Sequence, residues 1–142
     1  MKINQLSVFL ENKPGQLKMA SDLLSKAKIN IQTLSMADAK QFGILRLVMR
    51  DWEQAKSVLE RGGFVVKVTE VLAIEVDDRP GGLTDVLEPI EAAGLNVEYM
   101  YAFAFGRRGK AVLIFRFDQP DLAIEKLTAA GVNVVASVEL FN

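Results

Sequence analysis

The chain has no cysteine and no histidine. Those two absences exclude disulfides, thiol nucleophiles, zinc sites built from Cys and His, and imidazole acid–base chemistry. An enzyme made from this chain would have to work with Asp, Glu, Lys, Arg or Tyr, and no pair of these stands out as a site. The expectation is therefore no catalytic residue, no metal ligand and no cofactor. Charge of one sign is lacking too. The formal net charge is −1, so nothing global draws the protein to nucleic acid or to an acidic membrane. No apolar run is long enough to span a bilayer, and Met1-Lys2-Ile3-Asn4-Gln5 lacks the apolar core of a signal peptide. A cytoplasmic protein is the expected setting.

What the chain does have is an internal repeat. Leu10-Glu11-Asn12-Lys13-Pro14-Gly15-Gln16-Leu17 returns as Val76-Asp77-Asp78-Arg79-Pro80-Gly81-Gly82-Leu83. The spacing that carries Pro14 onto Pro80 also carries Ile29-Asn30-Ile31 onto Leu95-Asn96-Val97. The 142 residues therefore divide into two units, 1–69 and 70–142. Each is small enough to be marginal alone, so the halves are expected to pack on each other or on a second chain. Half of the residues are hydrophobic, as in a folded globular protein.

Periodicity orders the elements. Leu6, Val8 and Leu10 alternate with polar neighbours and predict a strand. Pro14-Gly15 then opens a helix whose apolar stripe is Leu17, Ala20, Leu24 and Ala27. Strands are expected at 29–37, 44–50 and 64–68, with a helix from Asp51, placed to cap it, to Gly62-Gly63. The second unit repeats the order. It has a strand at 71–76 and a helix with Leu83, Val86, Leu87, Ile90 and Ala93 inward, carrying Pro89 within it. Strands follow at 95–105, 110–117 and 132–141, with a helix opened by Asp118 and Pro120 before the last. Each unit thus reads βαββαβ, the ferredoxin-like arrangement of an α+β fold, with an antiparallel sheet and its helices on one face. The junction at Thr69-Glu70 is so short that the units are expected side by side in one eight-stranded sheet. Phe9, Val48, Val112 and Ile114 fall on the face opposite the helices, which is expected to carry a homodimer.

The Pro-Gly turns carry the chemistry. The first N–H groups of a helix have no partner within it, and the macrodipole makes that end partly positive. Glycine there lets a ligand approach the backbone. Gly15, Gln16 and Leu17, and again Gly81, Gly82 and Leu83, are thus candidate N–H donors to a small carboxylate. The plain alternative is a tight strand-to-helix turn. Asn12 and Asp78 precede the prolines and are candidate polar contacts or local caps. The anionic Asp78 favours an ammonium, whereas the amide of Asn12 serves either end of a zwitterion. Asn30 and Asn96 recur between apolar neighbours at early strand positions, where Asn is uncommon. Tyr99, Tyr101, Phe103 and Phe105 alternate on one strand, a pattern of packing more than of ligand binding. Gly106-Arg107-Arg108-Gly109 reads as a basic hairpin tip.

These residues resemble a known family. Glu11 to Leu17 followed by Ile29-Asn30-Ile31 is similar to the ACT domain, the amino-acid-sensing module of metabolic enzymes, and especially to the serine-sensing domain of phosphoglycerate dehydrogenase. Asp77 to Leu83 with Gly94-Leu95-Asn96-Val97 resembles it again, so two ACT modules cover the chain. The resemblance implies a regulatory protein, not an enzyme, that binds a free amino acid where two modules meet. By resemblance, Asn12, Gly15, Gln16 and Leu17 would face Asn96, and Asp78, Gly81, Gly82 and Leu83 would face Asn30. A metabolic enzyme is the partner it implies. Two other readings remain open here: an ACT scaffold that binds nothing and holds subunits together, and an RNA-binding ferredoxin-like protein. For the second, Lys110 and Val112 stand where the signature needs base-stacking aromatics.

Overall fold

The computed structural model describes residues 1–38, 41–103, 106 and 109–141. The chain divides into two compact units, residues 4–69 and residues 70–142 together with 1–3.

The first unit holds β1 (Ile3–Glu11), α1 (Gln16–Lys26), β2 (Thr33–Asp38), β3 (Phe42–Val48), α2 (Trp52–Arg61) and the start of β4 (Val65–Asp77). Antiparallel pairs place Val8 opposite Leu45 on β3, and Met36 on β2 opposite Leu45 from the other side. The strand order is β2-β3-β1-β4, with β2 at the edge. Leu6, Val8, Leu10, Leu45 and Leu47 meet Ala20 and Leu24 of α1 and Ala55 and Leu59 of α2 in one core. The period of two on the strands and of three to four on the helices is what aims these residues at each other.

The second unit takes the rest of β4, then α3 (Gly82–Ala92), β5 (Val97–Ala102), β6 (Lys110–Phe117), α4 (Pro120–Ala129), β7 (Val134–Val135) and α5 (Ser137–Leu140). β6 pairs with β4 and β5, and β7 pairs with β4, all antiparallel. Leu72, Ile74 and Val76 pack with Val86, Ile90, Ala123 and Leu127 and with the stacked rings of Phe115 and Phe117, whose centroids lie 5.6 Å apart. Lys2 reaches Glu70 at 3.3 Å and Asp121 at 3.0 Å, which ties residues 1–3 to this unit.

Several expectations are corrected. β4 runs unbroken where two strands were expected at 64–68 and 71–76. Thr69-Glu70 contains neither glycine nor proline, and β-branched residues on both sides favour the extended chain. β2 begins at Thr33 and β5 at Val97, so Asn30 and Asn96 precede their strands. The last strand is two residues long. Beyond Val135 the chain turns into α5, closed by N–H groups of Glu139 and Leu140 on the Ala136 carbonyl, and Val138 is 69% exposed. Asp51 occupies the N-cap of α2 but makes no side-chain cap bond. Gln119, not Asp118, is the N-cap of α4, because the Asp118 carboxylate accepts the Asn96 N–H instead, at 3.2 Å. Leu17 is exposed and does not join the apolar stripe of α1. Val48, Val112 and Ile114 are already buried in the single chain, so they offer no open sheet face to a second copy. Phe105, Arg107 and Arg108 of the aromatic stripe and basic tip lie outside the described residues.

Candidate functional site

Both Pro-Gly turns fold the same way. Gly15 is the N-cap of α1 with φ 91°, and Gly81 is the N-cap of α3 with φ 86°. This left-handed backbone is open to glycine and strained for any residue with a Cβ. Neither cap has a side chain that bonds the first helical N–H groups. Each turn is tied to a neighbouring stretch of chain by a backbone bond at the same position. The Asn12 N–H donates to the Gln41 carbonyl at 3.0 Å, and the Asp78 N–H donates to the Gly109 carbonyl at 2.9 Å. Asn12 and Asp78 are both exposed. Leu17 and Leu83, in corresponding positions, are 43% and 41% exposed.

Local chemistry separates the two turns. In the second, the Gly82 N–H is already spent on the Arg79 carbonyl at 3.0 Å. Gly82 is buried, and a Cβ there would collide with the Asp77 carbonyl oxygen. Its counterpart Gln16 carries a full side chain, and among the described residues no backbone carbonyl accepts the Gln16 N–H. Arg79 folds over the second turn, donating to the Pro80 carbonyl at 3.0 Å and pairing with Asp85 and Asp77. Lys110 also pairs with Asp77. The Lys110 hydrogen bond, followed by its charge, holds the Asp77 carboxyl below its ordinary value of 3.8. Asp85 raises Arg79, chiefly by hydrogen bonding. The acidic Asp85 in the first turn of α3 also complements the helix dipole, whereas the first turn of α1 has no acidic residue.

Asn30 and Asn96 are exposed and follow the C-termini of α1 and α3. Both helices end on the same left-handed cap. The Ile29 N–H returns to the Leu24 carbonyl at 3.0 Å and the Leu95 N–H to the Ile90 carbonyl at 3.1 Å, while the Ile29 and Leu95 side chains are buried in the cores. That anchoring sets each asparagine at a fixed place on the rim. It also separates turn from asparagine within a unit. α1 and α3 have 11 residues each, so the two ends of each lie about 16 Å apart. A single unit brings the turn residues together and leaves its own asparagine at the far end of the helix.

Sequence reasoning missed Lys28 and Asp85, and missed the pairing of Arg79 and Lys110 with acids at the second turn. Lys28 had a signal: the repeat places it on Gly94, a helix-ending glycine. Arg79 repeats Lys13, but nothing in the spacing announced that Asp85, six residues on, would hold it. Among the described residues, no group of acidic side chains is arranged to hold a metal ion, and no helix is long and apolar enough to cross a membrane.

Residues 1–142 match the family model described as an ACT domain pair. Among solved structures, protein BT0572 from Bacteroides thetaiotaomicron is similar at 36% identity and a TM-score of 0.92, over 100% of this chain and 97% of that one. The regulatory subunit of aspartate kinase from Thermus thermophilus, in its ligand-free form, is similar at 11% identity and a TM-score of 0.67, over 92% of each chain. The same subunit from Thermus flavus gives 13% and 0.62, over 92% and 94%. These two likenesses are of fold alone. A search of curated proteins gave no match.

Proposed function

This chain belongs to the family of ACT domain pairs, and on that premise we propose that it is a regulatory protein that binds a free amino acid between modules and does no chemistry itself. The observation that carries the reading is the separation of the two repeated elements. Each unit presents an uncapped helix N-terminus at one end of its first helix and an exposed asparagine at the other, about 16 Å away. An amino acid is too short to touch both ends of one unit. It fits between the turn of one module and the asparagine of a neighbouring one. In that arrangement Asn12, Gly15, Gln16 and Leu17 work with Asn96, and Asp78, Gly81, Gly82 and Leu83 work with Asn30. The turn N–H groups suit the carboxylate, and the asparagine amides pair with either end of a zwitterion.

Binding of this kind orders the neighbouring modules and shifts the population toward the form a partner recognises. The proposed partner is a metabolic enzyme; two proteins of this fold are regulatory subunits of aspartate kinase. The proposed setting is the cytoplasm, and the proposed assembly a homodimer.

The test is a thermal-shift screen of the standard amino acids. A ligand that binds only the folded state raises the melting temperature with concentration. One amino acid, or a small chemically related set, is expected to do so. A flat response to all of them removes the sensing function and leaves an ACT scaffold that binds nothing.

A further inference from the structure

Lys28 is the one described residue other than glycine with a positive φ, at 58°. It occupies the left-handed position that ends α1. Its N–H donates to the Ser25 carbonyl at 3.0 Å, as the Gly94 N–H donates to the Glu91 carbonyl at 2.9 Å at the end of α3. Gly94, at φ 69°, accomplishes the same turn without a side chain. The backbone geometry therefore has no need of a lysine, and a Cβ in this conformation is strained.

The Lys28 side chain has a setting that the second repeat lacks. A hollow of about 400 Å³ is lined by Ser21, Ser25, Lys28 and Asn30 over the apolar Leu24, Ile29 and Ile31. Its polar groups are two hydroxyls, one amide and one ammonium, with no carboxylate among them. Among the described residues Lys28 makes no ion pair. At the corresponding positions of the second repeat stand Leu87, Glu91, Gly94 and Asn96. There the cation is gone and an acid has replaced one serine. The asparagine is common to both repeats; the unpaired positive charge beside it belongs to the first alone.

We infer that the hollow beside Asn30 is a recognition site for a carboxylate side chain, with Lys28 as its cation, so that the module edge carrying it selects an acidic amino acid. This rests on the amino-acid-binding function proposed above. There the ligand's own carboxylate and ammonium are held by turn N–H groups and asparagine amides. An additional ammonium, flanked by the Ser21 and Ser25 hydroxyls, suits a second carboxylate and gives a neutral amide nothing of equal strength. Lys28 acts on specificity and takes no part in any reaction.

The test is calorimetry with L-aspartate and L-glutamate, and with L-asparagine and L-glutamine as neutral controls, on the parent, Lys28→Gly and Lys28→Arg. The parent is expected to bind an acidic amino acid at least about tenfold tighter than its amide. Lys28→Gly loses about tenfold toward the acid and leaves the amide unchanged, and Lys28→Arg retains most of the preference. In the absence of ligand, Lys28→Gly melts higher, by about 2–6 °C, because the strained position is relieved. A variant that is more stable and yet binds the acid less tightly cannot owe that loss to misfolding. Lys28→Gly binding the acid as tightly as the parent overturns the inference, and so does a parent that favours the amides; both leave amino-acid binding intact. No binding of any standard amino acid to the parent removes the function and the inference together.

Discussion

The two repeats share a backbone and differ in charge. Their turns have the same left-handed glycine, their first helices have the same length, and both end on the same left-handed cap. In the first repeat, the turn has no acid in the opening helical turn, and the hollow at the far end of the helix is lined by Lys28 and, among the described residues, by no acid. Both features favour an anion. In the second, Asp85 sits in the first turn of α3, Arg79 folds across the turn, and Glu91 and Gly94 replace Ser25 and Lys28. There the Gly82 N–H is already engaged, which leaves fewer free turn donors than at Gly15. The backbone of a module thus sets where a zwitterion can bind, and a handful of side chains sets which end of it each module takes.

The largest expected difference lies at Gly82 and Gln16. Gly82→Ala drives a methyl into the Asp77 carbonyl oxygen and is expected to cost about 1–3 kcal/mol. Gln16→Ala, at the equivalent position, is expected to change stability by less than about 0.5 kcal/mol. Urea unfolding of the two variants measures this, and equal losses would mean that the two turns pack alike.

Next comes the helix end. Lys28→Gly is expected to gain about 1 kcal/mol, and Gly94→Ala to lose about as much, since each moves a Cβ out of or into the left-handed region. Denaturant melts of the pair sharpen the comparison through opposite signs. A loss for both would show that Lys28 is not strained.

A smaller effect is expected from acid. Lys110 holds Asp77 below 3.8, so near that pH the folded second unit binds fewer protons than the unfolded chain. Its contribution is complete above about pH 4 and is lost as pH falls through the lower folded value. Asp77→Asn is therefore expected to flatten the loss of melting temperature between about pH 4 and pH 2. Added salt flattens it in the same direction, because the pair is exposed. An Asp77→Asn chain with the parent's acid dependence would remove this ion pair from the account.

The βαββαβ order and the paired turns were legible because they rest on periodicity and on Pro-Gly chemistry, both local and both repeated. Asn30 and Asn96 were legible as a pair for the same reason, although their strands begin later than the apolar neighbours imply. Ile29 and Leu95 are buried as the anchors of a helix end, not as strand residues. What was not legible depends on contacts between elements. Asp118 has the look of a helix cap and instead serves Asn96 across the unit. Val48, Val112 and Ile114 alternate as an outer face would and are nonetheless buried. Val132 to Phe141 is apolar enough for a strand, yet strand pairing is confined to Val134 and Val135, on Ile74 and Ala73, with the Asn133 carbonyl accepting the Glu75 N–H beside them. In each case the local pattern fits more than one partner, and packing decides.

The most direct test is calorimetric titration of the parent with the amino acid that raises its melting temperature most, run beside Asn30→Ala and Asn96→Ala. Both asparagines are exposed, so the variants are expected to fold as the parent does. The account predicts saturable binding by the parent, and a loss of about tenfold or more in at least one variant, with the two losses unequal. Parent-like binding by both variants, or no saturable heat from any standard amino acid, would contradict it.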